Sequence, residues 1–201
     1  MICNRFQDIA VLPKEDGNIF QFIKPDMVDG PWIAGGAVLS WINKESVGNG
    51  DVDIFCRTPE QVDRISGLLF DYYRRAFDSD NAVSYDRESH DNFSNKLPKR
   101  VQIIKRFLSP SPEHIIDNFD ISVCKLVTDG ETILSGEKTL DDIMYKILRI
   151  EGAHHPVLLK RVLKYMAYGY ELCEGSAKIM RDNEYDLTFE NDLGDYAFPS
   201  I

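Results

Sequence analysis

Cysteine is scarce in this chain: Cys3, Cys56, Cys124 and Cys173 are the only four in 201 residues. They are scattered, form no Cys-x-x-Cys pair, and two lie inside apolar runs, which argues against a zinc site or a disulfide framework and fits reduced, buried thiols. Long apolar runs are also missing. None approaches the roughly 18 to 20 residues of a membrane span. The start Met1-Ile2-Cys3-Asn4-Arg5-Phe6 has neither the basic head nor the apolar stretch of a signal peptide, so a soluble, cytoplasmic protein with no membrane partner is expected. Positive charge falls short too. With 23 Lys and Arg against 33 Asp and Glu, the formal charge is -10 and the pI near 4.9, which excludes affinity built on broad neutralisation of a phosphate backbone and leaves room only for a local basic groove. The four histidines, His90, His114, His154 and His155, show no Ser-His-Asp order and no metal-ligand spacing on a helix.

What is present reads as one sizeable domain with a short helical extension, with a break expected near 136 and 137. Residues 1–31 carry short apolar clusters broken by Pro13, Gly17, Pro25 and Gly30 and read as an irregular or helical lead-in. Trp32-Ile33-Ala34, then Gly35-Gly36, then Ala37 to Ile42 suits a strand, a tight turn and a helix. After a polar loop, Asp51-Val52-Asp53-Ile54-Phe55-Cys56 begins as an alternating strand. Thr58-Pro59-Glu60 opens a helix whose apolar spacing runs on to about Phe77. The polar stretch 78–99 holds one short strand candidate, Ala82 to Tyr85. Strands are then expected at Val101 to Phe107 and Phe119 to Val127, with a short helix at Pro112 to Asn118 between them and a hairpin turn at Asp129-Gly130. Thr139 to Ile150 and His155 to Leu172 read as helices, and the tail from Gly175 is acidic and carries aromatics.

Two features carry chemistry. Asp51 and Asp53 are two apart, so the period of a strand points both carboxylates to one face while Val52 and Ile54 enter the core. Like charges held side by side call for a cation, and hard oxygen ligands suit magnesium or manganese. Gly35 and Gly36 stand just upstream, where missing side chains let a phosphate approach backbone amides at a helix start. Either feature alone is commonly a plain turn or a solvated face; their order and spacing make the combination specific.

Gly35-Gly36-Ala37, the helix after it, and Asp51-Val52-Asp53-Ile54 together resemble the polymerase-beta-like nucleotidyltransferase superfamily. The resemblance implies an α+β fold, a mixed sheet flanked by helices with a helical extension at the C-terminal end, and transfer of a nucleoside monophosphate from a triphosphate such as ATP. It also implies a third carboxylate from a neighbouring strand. Asp120, at the head of Phe119-Asp120-Ile121-Ser122-Val123-Cys124, is the candidate for both catalysis and metal binding, with Asp117 as fallback. Lys105 and Arg106, at the end of a strand, are further candidates for a triphosphate contact.

The segment Pro156 to Tyr165 followed by Gly169-Tyr170 resembles the helix after the catalytic domain in tRNA nucleotidyltransferases and bacterial poly(A) polymerases. That likeness implies nucleotide or RNA contacts from Lys160, Arg161 and Lys164. Departures limit it. Leu39-Ser40 replaces the usual Arg-Asp, and the 201 residues hold no long RNA-measuring body, so tRNA end addition is not carried over. The expectation is a metal-dependent nucleotidyltransferase acting on an RNA end, a protein or a small molecule. The alternative is a catalytically silent binding module or a toxin or antitoxin component.

Overall fold

The computed structural model describes residues 1–48, 50–88, 93–151 and 157–182. Its centre is a sheet built from β1 (Ile2–Arg5), β2 (Trp32–Ala34), β3 (Asp51–Phe55), β4 (Tyr73–Asp78), β5 (Ala82–Arg87), β6 (Arg100–Ile104), β7 (Leu126–Thr128) and β8 (Thr132–Ser135). The spatial order is β1-β8-β7-β2-β3-β6-β5-β4. Among the described residues of this sheet, only the β3–β6 pair is parallel. The sheet is therefore mixed, as the family resemblance implies.

Helices α1 (Phe6–Ile9), α2 (Ile19–Ile23), α3 (Gly36–Ile42), α4 (Pro59–Leu69) and α5 (Pro112–Asp117) fall among the strands. Beyond β8 come α6 (Thr139–Met144), a small parallel pair β9 (Ile147–Leu148) with β10 (Glu171–Leu172), α7 (Leu158–Ala167) and α8 (Glu174–Asp182). Among the described residues no helix is long and apolar enough to cross a membrane.

The pleat divides the core. Val52 and Ile54 are fully buried on one face with Ile33, Val101, Ile103 and the inner sides of α3, α4 and α7. Each such side chain contributes about 1.5–3 kcal/mol by leaving water. Trp32, Ala34, Phe55, Ala82 and Ile104 form a smaller core on the other face, beneath Ile115 and Ile116 of α5. Along that second face the register sets Asp53 beside Ala34 and Gln102, Asp51 beside Arg100, and then Ser84 and Asp86 of β5 beside Gln102 and Arg100. One sheet face is thus apolar under α5 and polar at the other end. The polar end carries the site.

Several expected elements are corrected. The lead-in contributes β1, an edge strand paired with β8 from Ile2–Ser135 to Arg5–Thr132. The helix at Pro59 stops at Leu69, and Tyr73 to Asp78 turns back as β4 against β5. Alternation of the edge strand was masked because only Tyr73 is buried while the rest faces water. Residues 119–125 are not strand: Asp120 lies in a bend after α5, Ile121 makes an isolated bridge to Ile150, and Ser122–Cys124 form a 3-10 turn before β7. Buried Ile121, Val123 and Leu126 imitate a strand, yet the backbone is coiled by local turns. The helix from Thr139 ends at Met144 and that from His155 is seen from Leu158 to Ala167, with β9 and β10 in the remainder. Gly169 follows the end of α7 with φ +82°.

Candidate active site

Gly35 is the pivot between β2 and α3. Its backbone, φ 75° and ψ −135°, lies in a region that side chains strongly disfavour. A Cβ there would also sit 3.1 Å from the Phe119 ring. The Gly35 N–H donates to the Leu126 carbonyl at 2.9 Å, so this amide is committed to the sheet and Gly36 opens the helix. The same imagined Cβ lies 3.9 Å from Asp53 Oδ2, and one on Gly36 would lie 3.6 Å from the Tyr165 hydroxyl. The glycine turn thus meets both the acid strand and α7.

Asp51 and Asp53 share a face of β3, as their spacing requires. Burial pushes the Asp53 carboxyl up to about 7, the Asp51 charge adds to this, and Lys164 and Arg161 pull it down. Its Oδ1 is sealed from solvent with no hydrogen-bond partner among the described residues, although the residue as a whole is only half-buried. Burial also raises Asp51, against Arg100 and Lys164. An unpartnered carboxylate oxygen beside a second acid fits a hard divalent cation, which would meet the oxygen and relieve the repulsion. Asp51 and Asp53 are the residues that fit such an ion.

Asp120 is ion-paired. Its Oδ2 accepts from Arg161 Nη1 at 2.7 Å, and the residue is 7 % exposed. Among the described residues no group of three or more His, Cys, Asp or Glu side chains is arranged to hold a metal. Arg161 thus pairs with Asp120 while its charge also acts on Asp53.

Helix α7 presents Arg161 and Lys164 because Leu158, Val162 and Tyr165 are buried and turn the basic residues toward the acids. Lys160 lies on the same helix, and partial burial lowers its ammonium below the ordinary value. Tyr165 is buried, and its hydroxyl accepts from Cys124 Sγ at 2.8 Å. Burial drives the Cys124 thiol up to about 11, which leaves it an inert core thiol rather than a nucleophile.

Three contributors escaped the sequence reading. Arg100 and Gln102 flank the acids on β6, and Asp86 on β5 grips Arg100 from Nε at 2.6 Å and Nη2 at 3.2 Å. The signal was there, since Arg100-Val101-Gln102-Ile103 alternates as Asp51 to Ile54 does. Lys105 is instead ion-paired with Asp78 at the far edge. The ring of His114 packs against Phe107 at 5.4 Å; His90, His154, His155 and Pro156 lie outside the described residues. A groove of about 260 Å³ lined by Lys125, Gly136, Glu137, Lys138, Thr139 and Glu151 adjoins this region, the Glu151 N–H donating to the Asp120 carbonyl. Its Lys125 and Glu151 already pair at 3.0 Å.

Residues 13–146, about two thirds of the chain, match the sequence model of the Gabija anti-defense 2 family. The chain belongs to that family. The matched segment takes in both glycines and all three acids and stops short of α7. No curated protein matches the chain in sequence. Among solved structures, a CCA-adding enzyme in its apo form I is similar with a TM-score of 0.63 at 13 % identity, over 90 % of this chain and 46 % of that one. A CCA-adding enzyme in complex with ATP gives 0.63 at 15 % identity, over 90 % and 45 %. The Thermotoga maritima CCA-adding enzyme complexed with tRNA gives 0.60 at 12 % identity, again over 90 % and 45 %. The family member described here spans a little under half the length of these enzymes. At such identity the likeness is one of fold, and the fold is nucleotidyltransferase-like.

Proposed function

We propose that this protein is a metal-dependent nucleotidyltransferase that moves a nucleoside monophosphate from a nucleoside triphosphate to an acceptor hydroxyl. The observation that carries the reading is the unpartnered, sealed Oδ1 of Asp53 beside Asp51, at the foot of the Gly35-Gly36 turn, in a fold shared with CCA-adding enzymes. Asp51 and Asp53 would hold the magnesium or manganese ion, whose chemistry is to neutralise charge on the transferring phosphoryl group. Gly36 leaves room for a phosphate beside the start of α3. Arg161 and Lys164 orient the triphosphate by charge, with Lys160 beside them on α7. Asp120 fixes the Arg161 guanidinium through its 2.7 Å contact, so its part in the reaction is exerted through that side chain. The acceptor is an RNA end, a protein or a small molecule, and the acidic chain selects against extended nonspecific nucleic-acid binding.

Incubation with labelled nucleoside triphosphates, magnesium and a cell extract tests the reading against the Asp51→Ala Asp53→Ala double variant. Transfer of label by the wild type and not by the variant is expected. Equal labelling by both would sink it.

A second reading is a nucleotide-binding or protein-binding module without catalysis. The pairing of Asp120 with Arg161 favours it, and so does the family's description as anti-defense, which suits a component that works by binding. A protein partner captured with equal affinity with and without magnesium, together with no label transfer, would select this reading.

A further inference from the structure

The lateral neighbours of the acid pair are fixed by the sheet. On the β2 side Asp53 faces Ala34, which carries no ligand atom. On the β6 side Asp51 faces Arg100 and Asp53 faces Gln102. Parallel register partners project to the same face, so Gln102 occupies the place from which an adjacent strand would offer a third acid. Gln102 is 4 % exposed, and its Nε2 donates to Ser84 Oγ at 2.9 Å. That bond holds the buried amide in place.

Among the described residues, charge around the pair is nearly matched without any metal when every acid is ionised. Asp51, Asp53, Asp86 and Asp120 are set against Arg100, Arg161 and Lys164. One divalent cation more than offsets the single remaining negative charge, and a second would leave the cluster strongly positive unless a triphosphate were bound.

We propose that Gln102 makes this a two-carboxylate centre that takes a single divalent cation, and takes it together with the triphosphate rather than ahead of it. The proposal rests on the nucleotidyltransferase reading above and deepens it. Two acids and a neutral amide supply too little charge to hold a bare ion tightly, since affinity for hard cations follows the number of charged ligands. The triphosphate adds the missing anionic oxygens. Restoring a carboxylate at this position reverses the order: Gln102→Glu adds an acid on the face of Asp53. The Ser84 hydroxyl can turn to donate to it, because a serine both donates and accepts.

The test is a Mn2+ titration of the full chain, with free Mn2+ read by electron paramagnetic resonance, in the absence and presence of α,β-methylene ATP. The wild type is expected to bind one Mn2+ per chain when the analogue is present and at least tenfold more weakly without it. Gln102→Glu is expected to bind Mn2+ alone at least tenfold more tightly than the wild type. Two Mn2+ per wild-type chain, or tight binding of Mn2+ to the wild type without nucleotide, overturns the proposal whether or not Gln102→Glu folds. A folded Gln102→Glu protein with unchanged Mn2+ affinity overturns it as well. The Asp51→Asn Asp53→Asn protein separates the two levels of inference: Mn2+ and analogue that bind it as they bind the wild type would refute the site itself, and the proposal with it.

Discussion

Strand β3 and helix α7 bring opposite charges to one place by different means. On β3, Asp51 and Asp53 come from a single five-residue segment, and the pleat alone aligns them. Burial raises both carboxyls; Asp51 lies 3.7 Å from Arg100 Nε, and among the described residues Asp53 Oδ1 has no hydrogen-bond partner. On α7, Arg161 is fixed by Asp120 at 2.7 Å, and the helix is anchored by Leu158, Val162 and Tyr165. The helix holds its arginine in an ion pair, whereas the strand keeps one carboxylate oxygen without a hydrogen bond among the described residues.

The contrast is sharpest in stability. Gly35→Ala strikes the strand half, where φ 75° disfavours a side chain and the new Cβ would sit 3.1 Å from Phe119. Backbone strain and overpacking together should cost about 3 kcal/mol, read from the urea midpoint. A loss under about 1 kcal/mol would mean that the turn is not the rigid pivot described here.

Asp53 supplies the next largest effect. Its carboxyl is raised in the folded protein to about 7, above an unfolded value near 4. The folded state therefore holds the proton more tightly, and stability is highest below the unfolded value and falls as pH rises from about 4 to about 7. A full shift would correspond to roughly 4 kcal/mol; partial exposure of the residue reduces this to about 2 kcal/mol. Unfolding in metal-free buffer at the two ends of that window should show the fall, and Asp53→Asn should flatten it. A wild type as stable at the upper end as at the lower would contradict the electrostatic picture of the strand half.

The helix half should respond through binding. Asp120→Asn removes the charge that braces Arg161, and triphosphate affinity should drop about tenfold, equivalent to about 1.4 kcal/mol. Unchanged affinity with loss of bound Mn2+ would return Asp120 to the role of a direct metal ligand. Tyr165→Phe is the mildest change: it deletes the acceptor of the Cys124 thiol and should cost about 1 kcal/mol of stability, seen as a small fall in Tm.

These differences also explain what could be read from residues alone. The acid pair, the glycine turn and the hairpin at Asp129-Gly130 depend on spacings of two to four residues, and all three appear at those positions. Edge strands β1 and β4 did not announce themselves, because a strand wet on most of its length lacks alternation. The segment around Asp120 misled because burial without regular pairing looks like a strand in sequence. Arg100 and Gln102 were legible as an alternating pair, but their place beside Asp51 and Asp53 is a matter of parallel register between strands some fifty residues apart. No local pattern encodes that.

Calorimetric titration with ATP, in magnesium and in its absence, tests the central claim most directly. The account predicts binding that requires magnesium and is lost in Asp51→Asn Asp53→Asn. Magnesium-independent binding that survives in that variant would contradict it.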